Sequence, residues 1–368
     1  MCFVSTSGAL YKLLTHGDMT KVGGAEVQQM LIASELVKLG YQPVFALSDE
    51  GQPAREVTED GITLVRIART RTVKGLGYPM ATSALLRAMK QADADIYYQR
   101  SAGMVTGLTA MCCRLMKRKF ISSVASNLDL GANGGWLSGR DKWLHRYGLT
   151  NADRIVVQTE DQRVLLKEAF GVDGVFIRSA VAIPKNQHGG RGYVLWIGGL
   201  KKVKRPEMFA ELAAKLPEYK FVMVGGKGAS EEESLHGVSE EFQQSANLNV
   251  VGFVPYDRVG EYYDGADLLV NTSLMEGFPN TYLEAMSRGF PVIGTFDPDG
   301  LLSTQGLGRF CANLEELVVA VRELKEDSGL RDELGKLGIE YVAKNHSAEV
   351  IGRQYDRLFM ELHNGKTG

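Results

Sequence analysis

Two glutamates, Glu276 and Glu284, bracket the run Glu276-Gly277-Phe278-Pro279-Asn280-Thr281-Tyr282-Leu283-Glu284. The run follows an apolar, strand-like stretch at 268–271, and Gly277 with Pro279 bars a regular helix at its start. Asn280 is placed as the N-cap of a helix over 281–288, whose first unpaired N–H groups would receive an anion, a diphosphate being the natural one. The two carboxylates suit neutral, hydroxyl-rich groups: a hexose ring and a ribose. They do not suit a glycosidase pair, because their spacing along a helix spreads them by about 12 Å, whereas a retaining glycosidase needs ~5 to 5.5 Å. A solvated loop glutamate plus a first-turn glutamate facing the helix dipole explains the pair as readily when it stands alone.

A second stretch, Trp196-Ile197-Gly198-Gly199-Leu200-Lys201-Lys202-Val203-Lys204-Arg205-Pro206-Glu207, ends a strand in two glycines and continues as a cationic loop. Pro206 then opens a helix at its favoured first position. Cations beside glycines that admit a ligand to the backbone suit a diphosphate leaving group, whose charge grows as the glycosidic bond breaks. Solvated loop lysines are the plainer explanation. Gly23-Gly24-Ala25-Glu26 opens another helix, at 25–39, and would let a sugar or phosphate approach backbone amides, although a tight turn also explains a glycine pair.

These segments must be positioned by alternating strands and helices, the pattern of parallel α/β architecture. In the first half strands are expected near 2–6, 43–47, 62–66, 96–99, 120–124 and 154–158, with helices at 25–39, 104–119 and 161–170. A polar, Gly- and Pro-containing segment, 183–192, is expected as the linker. A second alternation places strands at 193–197, 221–224, 250–253, 268–271 and 291–294. Helices are expected at 206–216, 256–263, 281–288 and 314–325, with an amphipathic tail helix at 347–362. Two such sheets facing across a cleft suit a reaction that joins two substrates, because open parallel sheets bind ligands at the carboxyl ends of their strands.

A chain of 368 residues with 44% hydrophobic and 23% charged residues is an ordinary globular protein, long enough for two cores. Its longest apolar runs, such as 193–197 and 266–270, are strand-length and fall short of the ~18 to 20 residues that span a bilayer. The first residues carry no signal-peptide pattern, and Cys2, Cys112, Cys113 and Cys311 have neither metal-ligand spacing nor a disulfide framework. A cytoplasmic protein with free thiols is expected. Residues 1–185 carry 23 Lys and Arg against 17 Asp and Glu, and the remainder 19 against 27. The basic half could draw an acidic acceptor or an anionic membrane surface, or it could be a solvated face.

The order Gly23-Gly24-Ala25-Glu26, Gly198-Gly199-Leu200 with Lys204, Gly225-Gly226, Val251-Gly252-Phe253-Val254, Glu276 to Glu284 and Gly289-Phe290-Pro291-Val292-Ile293 resembles the retaining family 4 glycosyltransferases of the GT-B fold. The resemblance covers nearly the whole chain. It implies two Rossmann-like domains: an acceptor-side domain over 1–185, a nucleotide-sugar domain over 186–346, and a C-terminal helix at 347–368 crossing back to the first. By the same resemblance Glu276 and Lys204 are the catalytic pair. Glu276 and the amides of Gly277, Phe278, Pro279 and Asn280 hold sugar and phosphate, and Lys204 stabilises the departing diphosphate. Glu284 binds the ribose, backbone at Gly252, Phe253 and Val254 meets the base, and Gly23 and Gly24 close over the donor. Gly199 and Arg205 belong to the phosphate loop. No cofactor or metal is implied beyond the nucleotide sugar itself, because basic side chains and the helix dipole neutralise the leaving group. The implied reaction moves a hexose to a glycan, lipid-linked or small-molecule hydroxyl.

The chain departs from the family pattern at three places. Gly199 stands where the family has Arg, Ser122-Ser123-Val124-Ala125-Ser126-Asn127 contains no His, and Arg178-Ser179-Ala180 replaces an Asn-Gly. A catalytically silent nucleotide-binding homologue acting as an assembly partner is therefore the alternative. A phosphorylase or an epimerase of similar architecture is a third. Arg100, after a strand, and Asn127 are weaker acceptor-side candidates. The basic end of the 104–119 helix, with Trp136 and Trp143, could touch a membrane, while Asp93/Asp95 and Asp297/Asp299 have metal-pair spacing that chance also produces. No basic stripe with interleaved aromatics suggests nucleic acid.

Overall fold

The computed structural model describes residues 1–17, 22–69, 77–131, 137, 139–184, 192–226 and 245–364. Trp136 and most of the expected linker lie outside them. The chain divides into two compact units, one formed by the described residues up to Ala180 together with those from Ala348 onward, the other by Val181–Ser347. The division thus falls ahead of the expected residue 185.

The first unit carries strands β1 (Cys2–Ser5), β2 (Val44–Ser48), β3 (Arg55–Val57), β4 (Thr63–Ile67), β5 (Ile96–Arg100), β6 (Lys119–Ser123), β7 (Arg154–Val157) and β8 (Val175–Phe176). They pair in the order β3-β4-β2-β1-β5-β6-β7-β8, all parallel except β3 against β4. The central strands are buried over most of their length because helices cover both faces of the sheet. Those helices are α1 (Gly8–His16), α2 (Gly24–Lys38), α3 (Gly77–Ala92), α4 (Met104–Met116), α5 (Gly139–Thr150) and α6 (Glu160–Phe170). The last residues before the division are fastened inside this unit. Gln28 donates from Nε2 to the Ala180 carbonyl at 2.7 Å and accepts the Ala180 N–H at 2.7 Å, while the Ser179 hydroxyl bonds Gln158.

The second unit is a parallel sheet of β9 (Tyr193–Ile197), β10 (Lys220–Val224), β11 (Leu248–Gly252), β12 (Ala266–Asn271), β13 (Val292–Gly294) and β14 (Gly308–Phe310), ordered β11-β10-β9-β12-β13-β14. Around it lie α7 (Pro206–Lys215), α8 (Tyr256–Asp264), α9 (Asn280–Met286), α10 (Leu314–Glu326) and α11 (Ser328–Asn345). One apolar cluster, with Trp196, Phe209, Phe221 and Val321, fills one face of the sheet. A second, with Tyr263, Tyr282, Leu283 and Phe290, fills the other. The chain builds outward from β9 in one direction and from β12 in the other, so the topology reverses between these two neighbours.

The C-terminal helix α12 (Ala348–His363) belongs to the first unit. It buries Ile351, Tyr355, Leu358 and Leu362 at helical spacing. Gly352 lies against Glu35 of α2, Tyr41 donates to Asp356 Oδ1 at 2.5 Å, and the Tyr98 and Tyr355 hydroxyls stand 3.4 Å apart.

Candidate functional site

Ligands of open α/β sheets sit beyond the carboxyl ends of the strands where the strand order reverses. In the second unit that point lies between β9 and β12, and the loops leaving these strands carry Lys204 and Glu276. Lys204 ends a 3₁₀ turn, Lys202–Lys204, and its ammonium pairs with Glu276 Oε1. The same oxygen accepts the Ser273 hydroxyl at 2.7 Å. Both side chains keep some access to solvent, 28% for Lys204 and 13% for Glu276, so a ligand can reach a pair that the protein already holds in place.

Arg205 does the holding. It takes a left-handed backbone (φ 47°) that turns the chain into α7, and its Nε donates to the Thr272 carbonyl at 2.7 Å. Its Nη2 donates to Thr295 Oγ1, also at 2.7 Å. Thr272 returns the link: its hydroxyl donates to the Lys204 carbonyl at 2.7 Å and accepts the Trp196 indole N–H at 3.0 Å. Leu274 N–H donates to Val203 O at 2.8 Å. The two loops are thereby sewn together through backbone and two threonines. Thr272, Ser273 and Thr295 did not stand out in the sequence, although hydroxyl residues directly after a β12-type run are the available signal.

Three glycine-bearing strand ends line up beside the pair. Gly198 N–H donates to Val224 O at 3.0 Å, Leu200 N–H to Gly226 O at 3.1 Å, and Gly225 N–H to Gly252 O at 2.8 Å. Phe253 and Val254 follow Gly252, half-buried. Gly199 is exposed, and a Cβ placed on it would meet nothing closer than the Lys201 stem, at 3.8 Å. The position where the family has Arg is therefore open to a side chain, and Lys201 passes over it.

The loop 276–280 requires two corrections to the sequence expectation. Pro279, not Asn280, is the N-cap, and α9 spans Asn280–Met286, shorter than the 281–288 helix expected. A proline at the cap has its φ already near the helical value, here −66°, and gives up no needed N–H. For the same reason Pro279 offers no amide to a ligand, so amide donation is confined to Gly277, Phe278 and Asn280. The Phe278 ring is turned into the apolar core, 4.9 Å from the His346 ring, and anchors the loop.

Glu284 is buried on α9, 8% exposed. Tyr256 donates to its Oε1 at 2.9 Å and Tyr263 to its Oε2 at 2.5 Å. The two tyrosines lie seven residues apart and so share one face of α8, a pairing the sequence reading did not single out. Burial lifts the Glu284 carboxyl above its usual 4.5, against the opposing pull of the two hydroxyls and Arg288. The folded state then holds a proton that the unfolded chain has lost, between pH 4.5 and the raised value. Stability accordingly falls as pH rises through that window. In Glu284→Gln this descent is expected to vanish, so that urea midpoints measured across acid to neutral pH converge with wild type at the acid end and exceed it at the neutral end.

In the first unit Gly23 caps α2, its N–H bonded to Glu26 Oε2 at 3.1 Å, and Gly24 is the first helical residue. Arg100 closes β5 and donates from Nη1 to Ser123 Oγ at 3.1 Å, while its buried Nε has no partner among the described residues. Asn127 lies in a 3₁₀ turn after β6 with Oδ1 likewise buried and unpartnered. His145, buried on α5, reaches Asp129 O at 3.0 Å, and burial lowers its pKa. Asp93 and Asp95 both pair with Arg118, at 2.8 and 3.0 Å. Among the described residues no three His, Cys, Asp or Glu gather as a metal site, and no helix is long and apolar enough to cross a membrane. The four cysteines are unpaired and buried.

Comparison with known proteins gives two family matches. Residues 23–178 match the family described as "Glycosyl transferase 4-like domain", and residues 181–341 that described as "Glycosyl transferases group 1". An alpha-monoglucosyldiacylglycerol synthase of Acholeplasma laidlawii is 27% identical over 42% of this chain and 39% of its own length. A D-inositol 3-phosphate glycosyltransferase of Nocardia farcinica is 24% identical over 60% of this chain and 56% of its own. The chain thus spans about half the length of these relatives, or less. A sucrose-phosphate synthase structure from Thermosynechococcus elongatus superposes with a TM-score of 0.78 at 16% identity, covering 99% of both chains, a likeness of fold. The two family matches between them take in most of the sequence, and the chain belongs to the glycosyl transferases of group 1, with the GT-B fold of two parallel-sheet units.

Proposed function

We propose that the chain transfers a hexose, with retention, from a nucleotide diphosphate sugar to an acceptor hydroxyl. The observation that carries this reading is the Lys204–Glu276 pair at the reversal of the second unit's sheet, held by Arg205 and Thr272. Glu276 binds hydroxyls of the hexose, which displaces Lys204 toward the diphosphate. The bond between the anomeric carbon and the phosphate oxygen breaks, the electron pair leaving with the nucleoside diphosphate, and Lys204 stabilises the charge that develops there. The acceptor oxygen attacks from the face the phosphate leaves. The departing phosphate oxygen is then the nearest base for the acceptor's proton, so atoms and charge balance without a further group. Glu284 takes the ribose, with Tyr256 yielding its place on Oε1. The glycine ends at Gly252 and Gly225–Gly226 admit the base and phosphates to backbone.

No metal has a part in this scheme, because Lys204 with Lys201 supplies the positive charge. The four buried thiols suit a reducing, cytoplasmic compartment. Trp143, 57% exposed on α5 and stacked on Tyr147, is the aromatic that would meet a bilayer surface if the acceptor is lipid-borne.

A thermal-shift series with UDP, GDP, ADP and their sugars, followed by turnover in EDTA with the anomeric configuration read by NMR, tests the reading. One base series is expected to raise the melting temperature with concentration, about 2.7 kcal/mol of stabilisation at a hundredfold excess over Kd. A silent response to every nucleotide overturns the assignment, and loss of turnover in EDTA overturns the metal-free scheme.

A further inference from the structure

We propose that a cavity in the first unit binds the apolar part of a neutral, hydroxyl-bearing amphiphile, which is the acceptor on the transferase reading above. The cavity measures about 330 Å³, at the lower end of the ~300–1,000 Å³ of small-molecule sites. It opens at the carboxyl ends of β1, β2 and β4, where Thr6, Ser48 and Ile67 line it, and α3 and α4 close its side. This is the edge of the sheet at which open α/β folds bind ligands, and it is the edge on which Arg100 presents its unpartnered Nε.

The lining separates into two halves. Ala81, Ala84 and Leu85 of α3 face Met104, Val105 and Leu108 of α4, an apolar floor whose small side chains leave the space open. Asp49, Glu50 and Arg69 form the polar lip. Arg69 is tethered there, its Nε donating to the Asp49 carbonyl at 3.0 Å. Arg66 stands 3.8 Å from Asp49 Oδ1, so two acids are balanced by two guanidinium groups. Such a lip offers acceptors and donors to hydroxyls without a net charge to attract an anion or a cation. A sugar or polyol head bearing an alkyl or aryl portion fits both halves; a wholly polar oligosaccharide leaves the floor wet, and a free anion finds no excess of cations.

Calorimetric titration with alkyl glucosides from butyl to octyl, below their micelle concentrations, tests this on the whole chain. Each added methylene is expected to tighten binding about fourfold until the cavity is full. Ala81→Phe and Val105→Phe, which fill the floor from either helix, are expected to weaken octyl glucoside by the worth of two to three methylenes, about 30-fold, and to flatten the series. Nucleotide-induced thermal shifts, governed by the second unit, should stay at wild-type size in both variants. Affinity independent of chain length in wild type, or an undiminished series in both variants, overturns the proposal. Failure of nucleotides to bind would strike the transferase reading instead, leaving the chain-length dependence in place.

Discussion

On the proposed transferase reading, Glu276→Ala is expected to lower sugar transfer by about 10² to 10³-fold, the scale of removing one preorganised contact to the reacting group, with the fold intact. The carboxylate is fixed from two sides, by the Ser273 hydroxyl and the Lys204 ammonium, so binding costs it little reorganisation. Removing it leaves Lys204 without its counter-ion. Because that side chain is 28% exposed, water can solvate the ammonium, and the melting temperature should move little. Glu276→Gln keeps an acceptor for Ser273 but not the charge, and is expected to lie between alanine and wild type. Lys204→Ala should cost a similar factor. The double variant should cost scarcely more than either single one, as for residues that act as a unit. Initial rates with saturating donor, alongside circular-dichroism melts, check the set; a Glu276→Ala enzyme with unchanged rate removes the assigned role.

The largest effect on stability is expected at Gly225. Its backbone has φ 157°, and a Cβ there would fall inside the contact distance of the Gly198 carbonyl oxygen. Neither partner can give way. Gly225 N–H is bonded to Gly252 O, Gly198 N–H to Val224 O, and β9 and β10 are in register over 193–197 and 220–224. Gly225→Val should therefore destabilise by about 4 kcal/mol or more, the range reserved for strain and overpacking. Gly199→Ala is the matched control. Its new Cβ meets only the Lys201 stem, at 3.8 Å, so its stability should stay within about 0.5 kcal/mol of wild type. Urea unfolding of the two variants decides the matter, and equal midpoints would show that the strand ends yield more easily than their geometry indicates.

Five of the six strands of the second unit were legible because their middles are apolar runs; Tyr193–Ile197 matches its expected bounds, and β10 and β12 differ only at their starts, while the three-residue β14, with Arg309 at its centre, gave no such run. The helices α1, α3, α5 and α11 were not. The buried face of α3 is largely alanine, and that of α11 contains Gly335 and Gly338, residues that weaken hydrophobic contrast and helix propensity together. That Lys204 and Glu276 serve one site followed from the family resemblance, whereas their direct pairing is a finding of the structure. The engagement of Arg205 did not, because its partner Thr295 lies beyond β13 and only the folded sheet brings the two together. The cavity of the first unit was illegible for a related reason: one of its walls is α3.

Because α12 is part of the first unit yet follows Val181–Ser347 in the chain, a ribosome completes the second unit before it finishes the first. During synthesis the surface formed by α2, Tyr41 and Tyr98 stays uncovered while more than a hundred later residues are made, and only then do Asp356 and Tyr355 arrive to seal it. Nascent chains arrested just short of α12 are the form most exposed to proteases and chaperones, and the damage should appear at the beginning of the sequence, far from the missing end.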